Sequence, residues 1–374
     1  MSGATLTLSG VNKIYNPTSK APVHAVRDLD LRVEAGEIVA LLGSSGCGKT
    51  STLRMIAGFE AVSSGDIALG DRAVARLPPA RRGVAMAFEG YSLYPPLTVR
   101  DNIAFALKAA RLGADAVAAR VGEIAELLEI GDILDSYPSG LSGGQQQRAS
   151  LGRALIREAE LHLLDEPMGQ LEPQLRAVLR GRLKHFIKER GLTAILETHD
   201  QTEANALADR IAVMEGGELQ QFATPEPLKA APANLFTATF IGEPPMNVFA
   251  GRASAGDDGL AFELETGGAI AFPAAAFAPD QAAAIRQGRV TIGVRPHAVA
   301  VAEGGFPAEV VANQWLGDQT HIAANFAGGT IVSVAHDRVR HAAGARIGIR
   351  IAPRDLHIFD TETGRALHHG GDSV

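Results

Sequence analysis

The chain has 374 residues, comfortable for two domains and long for one. Its 46% hydrophobic and 21% charged content is ordinary for a globular protein. The net charge of −7 argues against general affinity for nucleic acid or anionic lipid, which both need a basic face.

Cys47, the only cysteine, allows no intramolecular disulfide and fits a reducing compartment. Met1–Thr5 shows no signal-peptide pattern, and no apolar run approaches the ~18 residues of a membrane span. Any membrane role is therefore expected to come through a partner.

Residues 1–240 alternate strand-like and helix-like patterns. Ile38–Leu42, Leu161–Leu164 and Thr193–Leu196 are short apolar runs, which suit parallel strands covered on both faces. Val117, Val121, Ile124 and Leu128 share one helix face, and the reading is α/β.

Gly43-Ser44-Ser45-Gly46-Cys47-Gly48-Lys49-Thr50 fits the phosphate-loop spacing, between a strand and a helix, with Ser51 beside it. Glycines let backbone N–H groups turn inward around phosphate oxygens, and a helix start adds positive dipole. Lys49 supplies a cation for the β- and γ-phosphates, and the Thr50 hydroxyl is a hard ligand for Mg²⁺.

Leu141-Ser142-Gly143-Gly144-Gln145 is a second anion site at a helix start, with Ser142 as N-cap. Only one lysine-bearing loop exists, so this second site is expected to grip phosphate bound elsewhere.

Leu161–Glu166 ends a buried strand in two carboxylates. Asp165 can reach Mg²⁺, directly or through water, and Glu166 can align or deprotonate an attacking water. His199, in Thr198-His199-Asp200 at a strand end, can hydrogen-bond the γ-phosphate or that water, whereas His162, inside a buried strand, reads as packing.

Gly242-Glu243-Pro244-Pro245 reads as a linker. Residues 245–374 carry short β-type segments such as Arg289–Val294 and Ala345–Ile351, with glycine turns at Gly267-Gly268, Gly304-Gly305 and Gly328-Gly329. A small all-β barrel is expected. Ala274–Ala284 is a short helix or a loose loop, and the ends, Met1–Ala4 and His368–Val374, look frayed.

Together, Gly43–Thr50 (Walker A), Leu141–Gln145 (signature), Leu161–Glu166 (Walker B) and His199 (switch histidine) resemble an ABC transporter ATPase in content and order, over essentially the whole chain. Tyr91–Pro95, Tyr137–Leu141, Phe240–Asn247 and Gly293–His297 resemble, more narrowly, importer ATPases for maltose, other sugars, polyols and glycerol-3-phosphate. The resemblance implies a P-loop ABC ATPase domain with a helical subdomain about 90–155. An oligonucleotide-binding-fold-like regulatory domain would follow; few aromatics and no basic stripe argue against nucleic acid there.

It also implies two ATPase subunits facing head to tail, homo- or heterodimeric, with each ATP between the Walker A of one and the signature of the other. Two membrane-spanning permease subunits, and indirectly an extracytoplasmic solute-binding protein, would complete the importer at the cytoplasmic face of the bacterial inner membrane. Tyr15 matches the aromatic that stacks on adenine, and the permease groove is expected around Glu89–Pro95 and Asp101–Leu134.

Two positions depart from the pattern. Glu89 stands where the family has Gln; it can coordinate Mg²⁺, or repel γ-phosphate by ~4 kcal/mol per charge pair at about 4 Å before Mg²⁺ offsets it. Gly169-Gln170-Leu171-Glu172 stands where Ser-(Asn or Ala)-Leu-Asp is usual. These motivate an alternative expectation, a low-activity, ATP-binding half of a heterodimer.

Overall fold

The computed structural model describes residues 3–109, 112–256, 259–273, 285 and 288–370. The chain divides into two compact units, Met1–Pro225 and Glu226–Val374.

The first unit is built on two sheets. β1 (Leu6–Tyr15), β2 (Val23–Val33), β4 (Ser64–Leu69) and β5 (Arg72–Ala73) form an antiparallel sheet in the order β2-β1-β4-β5. The second sheet holds β3 (Ile38–Gly43), β6 (Val84–Ala87), β7 (Leu161–Asp165), β8 (Ala194–Thr198), β9 (Arg210–Glu215) and β10 (Glu218–Ala223). Its order is β10-β9-β3-β8-β7-β6, parallel throughout except for the β10 edge.

Every residue of β3, β7 and β8 is buried, which is why their sequences run apolar without alternation. Leu8, Leu31 and Ile67 of the first sheet share one core with Leu41, Leu163 and Ile195 of the second and with Leu53 and Ile56 of α1 (Lys49–Ala57).

Helices α2 (Val99–Ala109), α3 (Ala114–Leu127) and α4 (Gly143–Leu155) form the helical part. Gly152 lets α4 approach closely: a Cβ there would lie 3.0 Å from Ile124 Cγ2 and 3.3 Å from Ile103 Cδ1. Val121 and Ile124 are buried from α3, with Leu128 just beyond its end. Two further helices, α5 (Pro173–Glu189) and α6 (Gln201–Leu207), flank β8 in sequence.

The parallel order has a functional consequence. Ligands of open α/β sheets bind beyond the carboxyl ends of the strands. Here those ends deliver Gly43, Phe88-Glu89, Asp165-Glu166 and Thr198-His199 to one edge.

α7 (Pro225–Ala230) straddles the division, and α8 (Leu235–Phe240) opens the second unit proper. Among the described residues ten strands follow: β11 (Asn247–Gly256), β12 (Gly259–Leu264), β13 (Ala269–Pro273), β14 (Arg289–Val294), β15 (Val299–Trp315), β16 (Thr320–Phe326), β17 (Gly329–Ala335), β18 (Arg346–Ile351), β19 (Leu356–Asp360) and β20 (Ala366–His368). They make two sheets, β13-β12-β11-β14-β19-β20 and β17-β16-β15-β18, around one core that includes Phe249, Phe262, Ile292, Phe326, Ile349 and Ile358. Asn247 joins the sheets, donating to Val332 O at 2.9 Å and accepting from Val332 N at 2.7 Å.

Three details differ from the sequence reading. Gly304-Gly305 is no turn between strands but a bulge inside β15, where Val301 and Phe306 both pair with Ile349. Gly242–Pro245 belongs to the second unit. Arg295, 8% exposed, donates to the carbonyls of Lys229, Ala238 and Ile241 and so holds the preceding chain onto the β unit. Burial pushes this guanidinium down to about 10, so it remains a cation, satisfied by backbone oxygens.

The third concerns the ends. Gly3 N donates to Gly191 O at 3.0 Å, Ala4 N donates to Glu160 O at 2.9 Å, and His368 is buried in β20, so these positions are tied down. Ala274–Ala284, read as helix or loop, lies outside the described residues.

Candidate functional site

A cleft of about 450 Å³ opens at the carboxyl edge of the parallel sheet. Ser45, Gly46, Gly48, Lys49, Thr50, Ser51, Glu89, Asp165, Glu166 and His199 line it, together with Ala25, Gln147, Gly169, Gln170 and Glu197. The phosphate loop, both Walker B carboxylates and the switch histidine thus share one space.

The loop owes its shape to its glycines. Gly46 and Gly48 have φ of 80° and 107°. A Cβ on Gly43 would lie 2.2 Å from Met214 O, and one on Gly48 would lie 2.4 Å from Ala25 O. Backbone carbonyls at that distance admit no side chain, so only glycine lets the loop turn and enter α1.

Ser44 Oγ donates to Glu215 Oε2, which pins the loop to β9. Lys49 is buried; its Nζ donates to Gly43 O and Ser44 O, both at 3.0 Å. Cys47 is buried and its thiol pushed up by that burial, so it packs rather than reacts.

Three carboxyls, Glu89, Asp165 and Glu197, line the cleft with Thr50. Asp165 ends β7 and faces Glu197 of β8 in register. Thr50 Oγ1 donates to Glu197 Oε1 at 2.9 Å. Burial raises both carboxyls; Glu197, pressed next by the Asp165 charge, is pushed up to about 7. Glu89 lines the cleft with its side chain, while its backbone N–H donates to Asp165.

Glu197 joins the site from β8 with no motif to announce it. The signal was there: one acid in the buried apolar run Ala194-Ile195-Leu196, just before Thr198-His199, must have a partner or a task.

Glu166 follows β7 with φ of 45°, a conformation uncommon for a side-chain-bearing residue and characteristic of functional positions. Its Oε1 accepts from His199 N at 3.1 Å and meets His199 Nδ1 at 2.7 Å. This hydrogen bond, then the carboxylate charge, raises the His199 imidazole above its ordinary value. Gln147 Nε2 donates to Glu166 O at 2.6 Å, and Gln147 Oε1 accepts from Gln170 N at 2.9 Å. Arg176 pairs with Asp200 at 3.1 Å and donates to Leu171 O at 3.1 Å. The loops after β7 and β8 are therefore fastened to one another.

Ser142–Gln145 does not line this cleft. Ser142 caps α4 in a reciprocal box with Gln145, the side-chain oxygens accepting at 3.3 Å and 3.0 Å. This start of α4 thus lies apart from the cleft at Lys49. Tyr15 stands near the phosphate loop, its hydroxyl 3.2 Å from Ser51 Oγ, with Lys13 Nζ 4.6 Å over its ring. His162 is buried and lowered to about 4 by that burial, as a packing histidine should be.

A glycine-rich loop between a buried central strand and a helix, with a lysine, a threonine and strand-end carboxylates beside it, defines a P-loop nucleoside triphosphatase.

Comparison with known proteins gives the family. The "ABC transporter" family model matches residues 26–169, and the "TOBE domain" model matches residues 292–359. The xylose/arabinose import ATP-binding protein XacK of Haloferax volcanii is 39% identical over 97% of this chain and 95% of its own length. The sn-glycerol-3-phosphate import ATP-binding protein UgpC of Cereibacter sphaeroides is 40% identical over 97% and 100%. Among solved structures, a dimeric ATP-binding cassette, MJ0796, in a post-hydrolysis state with ADP and Pi is 25% identical, with a TM-score of 0.55 over 59% of this chain and 98% of its own.

The chain belongs to the ATP-binding proteins of ABC import systems. It is an ATPase of α/β P-loop fold followed by an all-β domain, and ATP is its nucleotide. Among the described residues no helix is long and apolar enough to cross a membrane.

Proposed function

We propose that this chain hydrolyses ATP in the cleft at Lys49 and thereby drives uptake of a sugar, a polyol or glycerol-3-phosphate. The observation that carries the residue assignments is the single carboxyl edge where Gly43–Ser51, Asp165, Glu166 and His199 meet.

Backbone N–H groups of Gly46–Thr50 and the Lys49 ammonium bind the phosphates. Thr50 and Asp165, with Glu89 within the same cleft, would hold Mg²⁺, which supplies positive charge at the phosphate oxygens. Among the described residues no three His, Cys, Asp or Glu side chains form an ion site by themselves. That suits a metal whose remaining ligands are phosphate oxygens and water.

Glu166 takes the proton of the attacking water, and His199, hydrogen-bonded to it, keeps that carboxylate aligned. Tyr15 offers the ring face opposite Lys13 to adenine. Since Ser142–Gln145 lies outside the cleft, the γ-phosphate receives that helix start from a second, facing ATPase subunit.

The partner in the membrane would be a pair of permease subunits, fed by an extracytoplasmic solute-binding protein, with this chain at the cytoplasmic face of the bacterial inner membrane. A groove of about 750 Å³ supports that docking. It is lined by Phe59, Phe88, Tyr94, Phe105, Leu112 and Arg153, among others. Phe59 and Phe105 are about half exposed, at 53% and 49%. Tyr94 packs against Phe105, ring centres 4.8 Å apart and planes tilted by 47°, with Arg153 over the Tyr94 ring at 4.5 Å, an apolar floor with a cationic rim.

Affinity purification of the tagged chain from membranes tests the partner. Two polytopic membrane proteins are expected to accompany the wild-type chain. Phe105→Asp should lose them while nucleotide binding persists, because Phe105 is remote from the Lys49 cleft in the pocket lining. Recovery of the wild-type chain without any membrane protein would contradict the assignment.

A further inference from the structure

On the reading of the cleft as a site for ATP and Mg²⁺, we propose that Glu197 is a positioning residue for the metal. It orients the Thr50 hydroxyl and sets a second carboxyl beside Asp165.

The first observation is placement. Glu197 lies in β8 in parallel register with Asp165 of β7, so the two carboxyls arrive side by side at the carboxyl edge. The second is the hydrogen bond from Thr50 Oγ1 to Glu197 Oε1 at 2.9 Å. A hydroxyl whose hydrogen is committed to a carboxylate has only lone pairs left to offer, which is the orientation a cation ligand needs.

The third observation points to a ligand. Glu197 is only 5% exposed, it lines the cleft, and its Oε2 has no hydrogen-bond donor among the described residues. Asp165 can meet that oxygen only through a shared proton. Lys49 acts on Glu197 through its charge but gives it no hydrogen bond, since its Nζ donates to Gly43 O and Ser44 O. A buried carboxylate oxygen without a donor is costly, and a purely structural acid would be expected to hold an arginine, a lysine or a backbone N–H. Oxygens of this kind are what a hard divalent cation takes up.

Metal and nucleotide binding can be read separately on the full-length chain. Mn²⁺ serves as the probe, with free ion followed by electron paramagnetic resonance in the presence of a non-hydrolysable ATP analogue. Binding of the same analogue in EDTA gives the metal-free affinity. Glu197→Gln keeps an oxygen for the Thr50 hydroxyl but removes the charge beside Asp165, and is expected to weaken Mn²⁺ by about 10- to 100-fold. Metal-free analogue binding should be unchanged or tighter, because one negative charge leaves the cleft. Glu197→Asp, which keeps the charge, should recover part of the Mn²⁺ affinity.

Two results overturn the proposal. One is Mn²⁺ affinity in Glu197→Gln within about threefold of wild type. The other is a parallel loss of both affinities, which marks a structural role. Should Thr50→Ala and Asp165→Asn also leave Mn²⁺ binding untouched, the underlying reading of the cleft fails instead.

Discussion

Glu166→Gln is expected to lower ATP turnover by about 10²- to 10⁴-fold while ATP binding is kept. The carboxylate sits 16% exposed, beside His199 Nδ1 at 2.7 Å. Its φ of 45° and the hold of Gln147 on its carbonyl aim it at the cleft. An amide is nearly isosteric and keeps an oxygen for the His199 N–H, so the fold and the nucleotide contacts survive. It cannot accept a proton from water. His199, raised in its affinity for protons by Glu166, should return toward its ordinary value in the variant, which a histidine titration by NMR would show. Phosphate release measured beside nucleotide affinity separates the outcomes. Turnover equal to wild type would remove Glu166 from the chemistry and favour the low-activity alternative for this chain.

Gly48→Ala should instead act on binding. Its φ of 107° lies where a Cβ is strained, which costs about 1–2 kcal/mol. The steric term is larger: the added Cβ would sit 2.4 Å from Ala25 O and 3.2 Å from Val26 Cγ2. A backbone carbonyl in β2 cannot swing aside as a flexible side chain can, so the loop itself must shift. The N–H groups of Gly46–Thr50 then lose their common focus. A loss of about 100-fold in ATP affinity, roughly 2.7 kcal/mol, is expected by equilibrium titration. Gly46 provides the contrast, since a Cβ added there would meet no atom within 4 Å and only the backbone strain applies. Unchanged affinity in Gly48→Ala would show that the loop does not bind phosphate in this conformation.

What could be read in the sequence was what is local. Gly43–Thr50 and Leu161–Glu166 carry their chemistry in adjacent residues, and strand and helix context follows from apolar runs. Glu197 could not be read this way. Its meaning depends on the β7–β8 register that sets it against Asp165, a pairing of residues 32 apart in sequence. The bulge at Gly304-Gly305 escaped for the same reason, because a glycine pair reads as a turn until its partner strand is known. The chain leading into the linker-like Gly242–Pro245 is held by Arg295, which donates to Ile241 O from 54 positions away in the chain. The departures at Glu89 and Gly169 were visible at once, yet their effect depends on how the neighbouring carboxyls share charge, which composition does not encode.

On this reading, ATP is hydrolysed at a site completed by a second subunit. Ser142 is the residue to change, because it lies outside its own chain's cleft. Ser142→Asp keeps an N-cap for α4 but sets a negative charge where the facing γ-phosphate would arrive. ATP turnover of this variant is the most direct measurement. A shared site predicts turnover lowered by about tenfold or more with ATP affinity and unfolding temperature as in wild type. Wild-type turnover in Ser142→Asp would contradict it.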